Sequence, residues 1–138
     1  MPRLSDSGPF FFLLPYQSFS GMELFGVRFA ETLMHQGLPV LIGSPAGSLI
    51  EEACRKRDLP WVELPVLFRW DLRAVHRLGT ILRGSRPRAV IGFRTQVAYP
   101  LHAARLWTRS TVPMVFFYRL GAGNQPRRGP LHRVLFRH

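Results

Sequence analysis

A chain of 138 residues with 46% hydrophobic side chains can build one packed domain of ordinary size, which excludes wholesale disorder. It carries 19 basic against 8 acidic side chains, a formal +11, and the excess is uneven: Asp71 is the last acid, so residues 72–138 hold 13 basic groups and no acidic one. That calls for an anionic partner or for balancing acids on another surface. The single cysteine, Cys54, excludes a disulfide framework and a multi-thiolate zinc site and fits a reducing compartment.

Phe10 to Leu14 is a continuous apolar run, as a strand buried on both faces requires. The apolar stretch around it, Pro9 to Pro15, is far short of the ~20 residues that cross a bilayer, and no small-residue cleavage site follows it, so a soluble or peripheral protein is expected. Met22 to Gln36 reads as a helix, with Phe25, Phe29, Leu33 and Met34 near a 3.6 period and Gly37 as its C-terminal cap. Pro39 to Gly43 is the second strand. Ser48 to Arg57 is the second helix, opened by the S-x-x-E spacing of a capping box, and Trp61 to Leu64 the third strand. A third helix starts after Asp71, a good N-cap residue, with Leu72, Val75, Leu78, Ile81 and Leu82 at steps of three and four. Arg73, Arg77, Arg83 and Arg86 decorate its flanks. Ala89 to Phe93 is the fourth strand, Val97 to Trp107 the fourth helix, with Thr95 as its N-cap, and Pro113 to Tyr118 the fifth strand. Residues 121–129 form a Gly-, Pro- and Arg-rich loop, and Pro130 to Arg137 begins another helix.

Five apolar strands alternating with helices predict βαβ units: an α/β fold with a doubly wound, Rossmann-like parallel sheet. In such folds ligands bind beyond the carboxyl ends of the strands. The loops to inspect are therefore 15–22, 43–48, 65–71, 93–97 and 119–129.

In the first of these, Gly21 at the mouth of a helix lets a phosphate or sugar approach backbone amides whose dipole favours negative charge. Ser20-Gly-Met-Glu23 is equally an S-x-x-E capping box, and both readings stand. No G-x-G-x-x-G occurs, so the dinucleotide fingerprint is absent. Arg94 and Thr95 sit at the end of the fourth strand and Arg119 just after the fifth, where an arginine can clamp an anion or a sugar hydroxyl. The five histidines are scattered along the chain without metal-ligand spacing, so no metal is expected. Cys54, followed by Arg55, Lys56 and Arg57, is either a thiol activated by positive charge or a small packed side chain. The tail joins Arg127, Arg128, Arg133 and Arg137 to Leu131, Val134, Leu135 and Phe136, which suits packing on the sheet or lying on an anionic membrane.

The order of several short motifs resembles the N-terminal domain of GT-B glycosyltransferases of family 4. These are Ser20-Gly-Met-Glu23, Met34-His-Gln-Gly37 before Pro39-Val-Leu-Ile-Gly43, Pro45-Ala-Gly-Ser48, Asp58-Leu-Pro60, Val90-Ile-Gly-Phe-Arg94 and Leu131-His-Arg-Val-Leu-Phe-Arg137. The family's first loop usually reads G-G-x-E, with Ser20 here in place of the first glycine, and Phe93 and Arg94 occupy the place of a histidine found in many members.

The resemblance implies a two-domain enzyme that transfers a sugar from a nucleotide-sugar donor to an acceptor hydroxyl on a glycolipid, lipopolysaccharide or polysaccharide precursor. It implies no bound metal or other cofactor, and a place in the cytoplasm, peripheral on the inner face of the membrane. By it, residues 1–138 are the acceptor-side domain; the nucleotide-sugar domain is a further domain or second chain, and the isolated chain is inactive. Gly21 reaches the donor diphosphate, Glu23 supports the helix opening, and the region of Arg94 and Thr95 contacts sugar or acceptor. No catalytic residue is expected here, since arginine stays protonated at neutral pH. The competing reading is a basic module that binds RNA or an anionic membrane without catalysis.

Overall fold

The computed structural model describes residues 8–15, 21–65, 72–93 and 97–117. Within them five strands alternate with four helices: β1 (Phe10–Leu13), α1 (Gly21–His35), β2 (Val40–Ser44), α2 (Leu49–Lys56), β3 (Trp61–Glu63), α3 (Leu72–Ser85), β4 (Ala89–Gly92), α4 (Ala98–Thr108) and β5 (Met114–Phe116). All strand pairs are parallel, in the order β3-β2-β1-β4-β5. This is the doubly wound Rossmann-like α/β sheet expected from the alternation, with element ends shifted by one or two residues.

The central strand shows why the fold closes this way. Phe11, Phe12, Leu13 and Leu14 are all fully buried, and because strand side chains alternate in direction, each face of the sheet receives two of them. Phe12 and Leu14 join Val27 and Ala30 of α1 and Ile50, Ala53 and Cys54 of α2 in one core. Phe11 and Leu13 join Leu78 and Leu82 of α3 and Leu101 and Ala104 of α4 in the other. Helices α1 and α2 thus cover one face, and α3 and α4 the opposite one.

The helix ends supply the turns. After α1, Gly37 has φ +82°, the Gly37 amide donates to the Met34 carbonyl and the Leu38 amide to that of Leu33, a left-handed stop that glycine makes without strain. Asp58, Arg86 and Arg109 adopt the same left-handed region at φ 53°, 43° and 54° after α2, α3 and α4. Asp71, expected to cap α3, lies outside the described residues, as do the tail and its predicted helix. Thr95, expected to cap α4, is also outside them; Val97, which directly precedes α4, makes no side-chain cap bond. Among the described residues no helix is long and apolar enough to cross a membrane.

Candidate functional site at the carboxyl edge of the sheet

Parallel strands put all their carboxyl ends on one edge, and the strand order places the reversal of winding between β1 and β4. There the connections leaving the two strands diverge to opposite faces, which opens a crevice where ligands of such sheets sit. The segments that follow β1 and β4 in the sequence, 16–20 and 94–96, lie outside the described residues. Of the six candidate residues, Gly21 and Glu23 are described, at the crevice side in the first turn of α1. Ser20, Arg94, Thr95 and Arg119 lie outside the described residues.

Gly21 is exposed, and a Cβ placed on it would meet nothing within 4 Å. Its φ is not in the left-handed region, so neither packing nor backbone geometry demands glycine. Glycine at a helix position costs about 1 kcal/mol relative to alanine. An unforced glycine whose amide heads a helix is what close approach of a ligand to the backbone requires. Glu23, two residues on, is fully buried. Its carboxylate is therefore not presented to solvent.

Behind this opening stands an aromatic wall. Phe93, directly after β4, stacks on Phe117 with ring centroids 5.6 Å apart and meets Phe25 of α1 edge to face at 6.1 Å, while Phe12 lies 6.5 Å away. Phe93 is buried in the core. The end of β4 is thus filled by aromatic packing. Gly26 makes the arrangement possible, since a Cβ there would come within 3.0 Å of the Phe93 ring.

At the end of β2 a second polar set appears, which periodicity did not reveal. The buried Ser44 and Ser48 hydroxyls are 3.3 Å apart, and the Trp61 indole N–H donates to Ser44 Oγ. Ser48 caps α2, its Oγ accepting from the Glu51 amide at 3.2 Å. The S-x-x-E pattern therefore holds with one change: the Glu51 carboxylate turns back to the Gly47 amide at 2.6 Å, one residue before the cap. That hydrogen bond first, and Arg55 second, hold the Glu51 carboxyl below its ordinary pKa of 4.5. The set is satisfied internally and acts as a brace for the 44–48 turn.

Cys54 is a core residue. Burial pushes its thiol up to about 12, outweighing the opposite pull of Arg57, so the activated-thiol alternative is overturned. Among the described residues no three His, Cys, Asp or Glu side chains gather closely enough to hold a metal ion.

No family model matches the chain, and no curated protein matches it. Among solved structures it is similar to the crystal structure of Acinetobacter baumannii MurG, a GT-B glycosyltransferase, with a TM-score of 0.61 and 18% identity. The match covers 80% of this chain and 35% of that one, so the chain spans about a third of the MurG chain. The fold is accordingly that of a GT-B N-terminal-like domain.

Proposed function

We propose that residues 1–138 are the acceptor-side domain of a glycosyltransferase that moves a sugar from a nucleotide-sugar donor to an acceptor hydroxyl. The observation that carries this reading is the five-strand parallel sheet, which matches part of a GT-B glycosyltransferase. The family 4 pattern of short motifs supports the finer assignment.

In this reading the crevice beyond β1 and β4 receives the ligands. The amides at the head of α1, reached through Gly21, stabilise the donor diphosphate by hydrogen bonds and the helix dipole. Ser20 lines that approach, and Glu23 holds the helix opening in place. Arg94, Thr95 and Arg119 contact the sugar or the acceptor, which is a glycolipid, lipopolysaccharide or polysaccharide precursor. Arg94 stays protonated and supplies no general base, so the chain binds and orients; the donor is held and activated by a nucleotide-sugar domain, in the same polypeptide or a second chain. No metal takes part, and the reaction takes place at the cytoplasmic face of a membrane.

The test is a transfer assay on the purified chain with nucleotide sugars and lipid-linked or saccharide acceptors, beside a binding assay for each. Acceptor binding without turnover is expected. Saturable turnover by residues 1–138 alone, or no affinity for any saccharide ligand, overturns the proposal.

A further inference from the structure

A half-open phenylalanine stands one turn below the head of α1. Gly21 and Phe25 are four residues apart and so share one face of the helix, separated by about 6 Å along its axis. Phe25 is 47% exposed. Single exposed apolar side chains are ordinary at a protein surface, but this one is held from several sides. Its ring lies nearly parallel to that of Phe29 with centroids 6.0 Å apart, and it meets Phe117 edge to face at 5.9 Å and Phe93 at 6.1 Å. Phe29 and Phe117 in turn meet edge to face at 6.0 Å.

These neighbours fix where the ring stands. Phe93 and Phe117 are the residues that directly follow β4 and β5, so Phe25 lies at the carboxyl edge of the sheet, between α1 and the ends of those strands. Core packing accounts for Phe93, which is buried, and for Phe29 and Phe117, which pack partly buried against the same core. It does not account for leaving nearly half of Phe25 in water, which forgoes roughly 1 kcal/mol of burial. A ring already fixed by its neighbours loses little rotamer freedom when a ligand settles on it.

We infer that Phe25 is a stacking platform for a pyranose ring joined to a phosphate, the sugar lying against the phenyl ring while the phosphate stands at the head of α1. The inference rests on the sugar-transfer reading of the crevice and adds to it a residue that senses the sugar. A pyranose is polar round its rim but presents a face of C–H bonds, whose partial positive charge meets the negative face of an aromatic ring. Ligand pockets combine such apolar surfaces with a few polar groups that fix orientation. One helical turn between the two contacts places the sugar directly next to the phosphate. An alkyl chain gains from any apolar surface and has no need of a ring held in one orientation, so the fixed ring favours the sugar. The same chemistry occurs in a nucleotide-sugar donor and in a lipid-linked acceptor, and the ligands of the test tell these apart.

The test is proton and phosphorus NMR of the full chain with a nucleoside diphosphate, its sugar-bearing form, a short-chain alkyl diphosphate and its saccharide-bearing form. Binding should move the sugar C–H protons upfield through the ring current of Phe25, and the ligand that shows this identifies the sugar as the donor's or the acceptor's. Phe25→Leu, checked for native circular dichroism, should lose those upfield shifts and bind the sugar-bearing ligand about tenfold more weakly. Its phosphorus shifts and its affinity for the sugar-free diphosphate should match the parent's. Phe25→Trp keeps a ring in place and should keep the upfield shifts, which preserves the test if the leucine variant unfolds. Four results overturn the inference and leave the sugar-transfer reading standing: phosphorus shifts without upfield sugar shifts, upfield shifts that persist in Phe25→Leu, equal weakening for the sugar-free diphosphate, or an alkyl diphosphate that binds as tightly as its saccharide-bearing form. No binding of any of the four ligands overturns both.

Discussion

Two glycines of α1, five residues apart, answer to different demands. Gly26 is favoured by packing, because a Cβ there would lie only 3.0 Å from a Phe93 ring that Phe12, Phe25 and Phe117 hold in place. Gly26→Ala should therefore destabilise the domain by about 1–3 kcal/mol, the usual cost of overpacking, measured by urea unfolding. Gly21 meets no such constraint. Gly21→Ala should leave stability unchanged or raise it by up to about 1 kcal/mol while weakening saccharide-ligand binding; a variant that loses stability instead shows that the glycine serves the fold. Cys54 supplies a further check, since a buried thiol with its pKa near 12 stays protonated at neutral pH. Thiol-specific reagents should label it at pH 7 only as fast as the domain opens. Gly21 was visible from its place before a helix, whereas Gly26 was not, because its partner Phe93 is 67 residues away and only the folded sheet brings them together.

At the scale of elements, the strands and helices were legible to within a residue or two because apolar runs and 3.6-residue spacing report directly on burial. The stops were less so. Gly37 reads as a cap from its identity, but Asp58, Arg86 and Arg109 take the same left-handed turn with side chains that disfavour it. After α4 the Arg109 amide donates to the Leu106 carbonyl and the Ser110 amide to that of Arg105, so the turn is fixed by backbone bonding, which residue identity does not disclose. Relieving it with Arg109→Gly should raise stability by about 1 kcal/mol, the cost of a left-handed residue bearing a Cβ, seen as a higher urea midpoint. Helix α2 gives a pH prediction. The Glu51 carboxyl is held below its ordinary value of 4.5, so its contribution is complete above that pH and fades as the pH falls through the lowered value. Glu51→Gln should flatten the acid limb of the stability profile, and a limb identical to the parent's would contradict the bond to Gly47. The Ser44–Ser48–Trp61 set spans 17 residues of sequence and was legible only in part, through the S-x-x-E spacing.

For the molecule as a whole, the strand order converts a difference between the two halves of the sequence into a difference between two faces. The first half supplies α1 and α2 with their paired charges, and the second supplies α3 and α4 with arginine alone. The sequence showed the imbalance at residue 72, but which surface it occupies depends on the reversal of winding between β1 and β4. The same reversal locates the carboxyl-edge crevice, while the identity of a ligand was not readable. Loop residues carry no periodic signal, and their chemistry depends on what the strands bring beside them. The central claim is that this crevice binds a saccharide-bearing ligand. It is tested most directly by a 15N-edited NMR titration of the chain with a panel of nucleotide-diphosphate sugars and short-chain lipid-diphosphate saccharides. Shifts concentrated at Gly21, Met22 and the residues after β4, and weakened in Gly21→Ala, are expected; shifts confined to α3 and α4, or none with any ligand of the panel, would contradict the claim.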